Sequence, residues 1–240
     1  MLFLSLVRQL CLKFASWQNK PITENTLIFQ NIACFVDVFL LNDSSFFGVW
    51  THGTLERYDV ESSNLDEIKS SKSSSRKRTS SNSNSKKRLL PDLIVKCKVE
   101  DEICFDLLVM EVKNKDVKPS QAISDNAKIA MCLKKMLDEQ VAFGVQDPVA
   151  LGLEVEVEKV KIFIAKLQHE SVYQVHLDSH FFLPRDYTDI CSIPRVMQCL
   201  IKINKILKGL KKRLRSRNNS NSIPTSWRRP SFDWPVHESE

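Results

Sequence analysis

Two carboxylates and a lysine are spaced to work together in residues 89–113. Residues 89–99 (LLPDLIVKCKV) and 103–113 (ICFDLLVMEVK) are apolar and alternating, and the acidic tip Glu100-Asp101-Glu102 joins them. That pattern predicts a β-hairpin. A turn centred on Asp101–Glu102 sets Asp92 opposite Glu111, and directly opposed residues bring their Cβ atoms to about 5 Å. Lys113 stands two residues beyond Glu111, on the same side of the pleat. Two carboxylates so close in a partly buried place repel, so one pKa rises or a cation binds between them. An oxygen-only site with few ligands suits Mg²⁺ (or Mn²⁺), which keeps several waters and accepts phosphate oxygens. A lysine beside it can hold or help deprotonate a water and meet the charge that develops on a phosphate. The set is one for phosphodiester hydrolysis.

The elements that must position these groups are readable on either side. Residues 24–41 predict a helix, with Pro21 and Thr23 as its start signal, and residues 46–58 predict strand. After the hairpin, residues 121–142 carry a helical apolar stripe through Ile123, Ala127, Ala130, Leu137 and Val141. Residues 151–167 alternate and give one or two strands, and 171–177 another. The last helix runs from about Arg195 to Leu214, with Val196, Leu200, Ile203, Leu207 and Leu210 as its buried side. The order predicts an α/β domain with a mixed sheet. It would span residues 21–215, between an amphipathic extension over 1–20 and a polar tail over 216–240. Trp227, Phe232 and Trp234 give that tail groups with which to dock.

Pro91-Asp92, about twenty residues, then Glu111-Val112-Lys113 and a following helix resemble the PD-(D/E)XK nuclease superfamily over residues 20–180. The layout is also similar to that of a group of uncharacterised fungal proteins. The resemblance implies a restriction-endonuclease-like core of helix, antiparallel meander, helix and strand, here with an extra C-terminal helix. It implies that Asp92, Glu111 and the Val112 carbonyl bind metal, that Lys113 serves the attacking water, and that Glu24 on the first helix joins them. It further implies a DNA contact from Gln121, although Asp125 replaces the tyrosine some members place four residues later. The expected activity is metal-dependent hydrolysis of DNA. The alternative is a nuclease fold without catalysis that binds a partner, nuclear or effector-like.

Charge is segregated along the chain. Of 35 Lys and Arg, seven fall in Ser70–Leu90 and nine in Arg195–Arg217, with no acid in either segment. The rest holds 19 basic and 29 acidic residues, a net −10, so the overall +6 describes neither part. Eleven of the 21 residues from 70 to 90 are Ser or Asn. Such composition predicts a disordered loop over 62–88, and its clusters Arg76-Lys77-Arg78 and Lys86-Lys87-Arg88 read as a nuclear-localisation or phosphate-binding signal. Lys211, Lys212 and Arg213 in the last helix are candidates for nucleic-acid backbone contact.

Other chemistries are disfavoured. Seven cysteines form no CxxC pair, and five histidines show no metal-ligand spacing with them, so neither zinc nor a disulfide framework is expected. Cys97 and Cys104 read as core fillers, and His176 and His180 as surface residues. No nucleotide-binding motif and no membrane-spanning run is present. Met1–Trp17 is apolar but lacks a charged n-region, which favours an amphipathic helix in a nuclear or cytoplasmic protein over a secretory signal. A secreted effector imported into nuclei remains the alternative on Met1–Ala15 and the basic loop.

Overall fold

Among the described residues, the period-two runs of the sequence become six strands laid side by side in chain order. They are β1 (Phe46–Trp50), β2 (Leu93–Lys98), β3 (Cys104–Lys113), β4 (Val149–Glu156), β5 (Lys159–His169) and β6 (Val172–Phe182). All neighbours are antiparallel except β3 and β4, which are parallel. A parallel pair needs a crossover, and helix α2 (Pro119–Ala142) supplies it. Two more helices, α1 (Ala33–Phe39) and α3 (Ile193–Arg215), complete the elements that matter for the site. The protein is therefore an α/β domain with a mixed sheet and a C-terminal helix.

The computed structural model describes residues 32–50, 91–100, 103–113, 119–184, 187–216 and 223–229, with only the backbone of 119–125 and Tyr187. Expectations for residues 1–20, Glu24, the loop 62–88 with its basic clusters, and Phe232 and Trp234 lie outside the described residues. Among the described residues, no helix is long and apolar enough to cross a membrane.

The sheet has a helix layer on each face. Val109, Ala150 and Ala165 pack with Ile129, Leu133, Met136 and Leu137 of α2. The other face, with Leu93, Val95, Leu151, Leu153, Val160 and Ile162, packs with α1 and with Val196, Leu200, Ile203, Leu207 and Leu210 of α3. At about 25 cal/mol per Å² of apolar area removed from water, burial of this size is what holds the three layers together.

Two local devices fix α2. Its C-terminus closes on Gly144 at φ 85°, with the Val145 N–H donating to the Gln140 carbonyl at 2.9 Å, so a residue with a Cβ would be strained at 144. The buried Gln140 side chain then accepts from the Val149 N–H at 3.0 Å and donates to the Val149 carbonyl at 2.8 Å, which ties the helix to the start of β4. Closer to the middle, a Cβ built on Gly152 would stand 2.9 Å from Ile129 Cγ2, so the absent side chain lets α2 lie against β4.

One cysteine expectation is corrected. Cys97 is buried, but Cys104 is exposed, because it opens β3 at the turn end of the sheet, past the cover of the helix. His176 and His180 are exposed on β6, as expected of surface residues. The tail does dock at Trp227: its carbonyl accepts from the Ser171 N–H at 3.1 Å in the β5–β6 turn, and the Arg229 carbonyl accepts from Lys134 Nζ at 2.6 Å.

Candidate active site

The hairpin places Asp92 beside Glu111. Leu93 faces Met110 in the β2–β3 ladder, so the next step toward the chain ends sets Asp92 against Glu111. Nearer the turn the register is one residue different, with Lys98 facing Cys104, and a bulge between Val95 and Lys96 absorbs the shift. Past the bulge, the alternation puts Glu111 and Lys113 on the α2 side of the sheet with Val109.

All three groups are buried there: Asp92 is 1 %, Glu111 7 % and Lys113 5 % exposed. The Asp92 carboxylate accepts from the Val112 N–H at 2.6 Å. In a strand, the N–H and C=O of one residue leave on the same side, so the Val112 carbonyl also faces the Asp92 edge.

The sheet adds a group the sequence reading did not single out. In the parallel β3–β4 ladder Glu111 lies next to Glu154, which is 1 % exposed. Lys113 Nζ donates to Glu154 Oε1 at 2.5 Å, and Lys161 Nζ of β5 donates to Glu154 Oε2 at 3.0 Å. Lys161 also reaches Glu156 Oε1 at 2.8 Å. From the helix side, Lys128 of α2 donates to Glu111 Oε1 at 2.7 Å. The Lys113 carbonyl accepts from the Val157 N–H at 3.0 Å, where the tight β4–β5 turn holds Val157 at φ 57°. This bond fixes the end of β3 against β4.

The result is a row across the sheet, Asp92, Glu111, Glu154 and Lys161, at the end where the parallel strands β3 and β4 finish. The carboxyl ends of parallel strands are where open α/β sheets bind ligands. Burial pushes the Glu154 carboxyl up, but the hydrogen bonds and charges of Lys113 and Lys161 together leave it below its ordinary value. Lys161 answers with a raised pKa: burial alone would lower it, and its bonds to Glu156 and Glu154 outweigh that.

The donor set can be tested for a metal. Two carboxylates and a main-chain carbonyl on one edge are oxygen ligands of the kind Mg²⁺ or Mn²⁺ takes, with water for the rest. The Glu111 carboxylate already holds a cation, the Lys128 ammonium. Among the described residues, no three His, Cys, Asp or Glu side chains form a metal-holding group. The described residues offer oxygen donors on this edge and do not form a closed metal cage.

Other expected site residues are placed as follows. Gln121 falls in the first turn of α2, and its side chain is outside the described residues, as is Glu24. Of the basic residues in α3, Lys211 is in an ion pair with Asp43 at 2.9 Å, and Arg213 donates to the Asp147 carbonyl at 2.5 Å. Lys212 is exposed. The chain matches no family model, no curated protein and no solved structure.

Proposed function

We propose that the protein is a metal-dependent phosphodiesterase acting on DNA, built on a restriction-endonuclease-like core of the PD-(D/E)XK kind. The observation that carries this reading is the convergence of Asp92, Glu111 and Lys113, all buried, on one sheet face at the end of the parallel pair. The element order agrees with it: helix, three antiparallel strands, helix, and a strand parallel to the third.

Asp92, Glu111 and the Val112 carbonyl would hold Mg²⁺ or Mn²⁺, and Glu24 would assist. When bound, the ion supplies Lewis-acid activation of the phosphate and of water. The chain's own groups do the rest. Lys113, paired with Glu154 at 2.5 Å, orients the attacking water and meets the charge that builds on the phosphate. Glu154 and Lys161 fix where that ammonium stands, and Gln121, in the first turn of α2, would contact the substrate. The clusters Arg76–Arg78 and Lys86–Arg88 accord with action in the nucleus or cytoplasm.

The test is cleavage of mixed single- and double-stranded DNA by the full-length protein with Mg²⁺ or Mn²⁺, beside Lys113→Ala and Glu111→Gln. Cleavage that needs metal and falls in both variants supports the reading. Cleavage unchanged in Lys113→Ala overturns the assignment of roles.

A second reading has an observation of its own. Glu111 is already held by the Lys128 ammonium, and Glu154 by those of Lys113 and Lys161, so these two carboxylates have cationic partners without a metal. A non-catalytic partner-binding module would keep such a cluster for structure. Titration with Mn²⁺ separates the two: the nuclease binds it and Glu111→Gln does not, whereas the module binds none in either form.

A further inference from the structure

Helix α3 carries a second charged feature, away from the candidate site. Lys205, Lys208, Lys212 and Arg215 are all exposed. Their spacing of three, four and three residues confines them to about 80° of the helix circumference. No described carboxylate forms an ion pair with any of the four. By contrast, Lys202 is held by Asp178 and Lys211 by Asp43. Lys208, Lys212 and Arg215 line an open hollow of about 410 Å³ with Asp43. The apolar side of the same helix, Ile203, Leu207, Leu210 and Leu214, is buried against the sheet.

The stripe lies on the face opposite the candidate site, because α3 packs on the side of the sheet that α2 does not cover. It also lies toward the other end. Arg213 bonds Asp147, just before β4, whereas Glu154 is near the end of that strand. Val149 to Glu154 alone is about 17 Å of strand.

We infer that this stripe binds the phosphate backbone of nucleic acid without reading sequence, as a docking surface separate from the Asp92–Glu154 site. Ten residues of helix span about 15 Å. One strand of B-DNA offers a phosphate every 3.4 Å of axis or so, which brings about four phosphates alongside four cations. An anionic membrane has the same headgroup chemistry, but a helix lying in a membrane surface needs its apolar side free. Here that side is core. The residues differ from the Lys211, Lys212, Arg213 run of the sequence reading, since the fold engages Lys211 and Arg213 internally.

The test is fluorescence anisotropy with a labelled 20-base-pair duplex and the full chain, in EDTA so that nothing is cut, over 50–200 mM KCl. Four contacts contribute a slope of about −3.6 to log K against log [salt], equivalent to about 150-fold in affinity over that range. The variant Lys205→Gln/Lys208→Gln/Lys212→Gln/Arg215→Gln should be shallower than wild type by about 3.6, and Lys212→Gln alone by about 0.9. Lys135→Gln on α2 should leave the slope unchanged. Three results would overturn the inference: no duplex binding at 50 mM KCl, equal slopes for wild type and the fourfold variant, or stripe-dependent binding to phosphatidylserine vesicles tighter than to duplex. The single variant decides the matter if the fourfold one does not fold. Absence of cleavage leaves the inference standing, because the measurement excludes metal.

Discussion

The described residues hold two concentrations of charge, and they are built in opposite ways. At the ends of β3 and β4, carboxylates and ammonium groups alternate under the cover of α2, each held at 2.5–3.0 Å from its counterpart. On α3, four cations stand in solvent, none in an ion pair with a described carboxylate. Burial makes the first cluster depend on its geometry, because a charge out of water is tolerable only with its partner in place. Exposure makes the second nearly indifferent to geometry, since water solvates each cation whether or not a ligand is present. The buried cluster can therefore orient a reacting group, and the exposed one can attract a polyanion over a distance set by salt.

Breaking the buried cluster should give the largest effect. Glu154→Ala removes the buried carboxylate that Lys113 and Lys161 share, and should cost about 3–5 kcal/mol in urea unfolding. A loss below 1 kcal/mol would mean that the pair is solvated and the contrast with α3 is false. Next comes function. Lys113→Ala should lower metal-dependent cleavage by about 100-fold or more, while the fourfold glutamine variant of α3 keeps the rate constant at saturating DNA.

Packing under the cluster comes third. Gly152→Ala pushes a Cβ into Ile129 and Leu133, at 2.9 and 3.3 Å, and should cost about 1–2 kcal/mol by thermal unfolding. The pH dependence sharpens the same contrast. The Glu154 carboxyl in the folded protein lies below its unfolded value of 4.5. Its contribution is full above that value and is lost as pH falls through the folded one. Glu154→Gln should therefore flatten the acid limb of stability, a difference that vanishes if Glu154 titrates normally. The smallest effect belongs to Lys212→Gln, within about 0.5 kcal/mol of wild-type stability.

Much of this architecture was legible because its signals are local. The alternation around Asp92 and Glu111 gave both strands, and the stripe of residues 121–142 gave α2 within two residues. The pairing of Asp92 with Glu111 came out as expected although the ladder near the turn is offset by one residue, because the bulge restores the register before the site. Glu154 was not legible. In LGLEVEVEKVKI its alternation looks like a solvated sheet face, and only the parallel pairing of β3 with β4, twenty-four helical residues apart, sets it beside Glu111. Lys128 is similarly hidden, as one more charge on an amphipathic helix. A guide existed in hindsight: a parallel strand after a crossover helix must lie next to β3, so an acid near its end must meet Glu111 or Lys113. Cys104 went astray for a simpler reason, since strand alternation does not reveal where the covering helix stops.

The single parallel pairing has a consequence for the order in which the molecule assembles. The β2–β3 hairpin holds Asp92, Glu111 and Lys113, and the β4–β5 hairpin holds Glu154 and Lys161. Each hairpin closes a short loop and can form early, whereas joining them requires α2 to span the gap and dock. Lys113 and Glu154 lie on different hairpins, and they meet only when β3 and β4 pair. The proposed site would be complete only once that pairing is made, so neither hairpin alone would hold it.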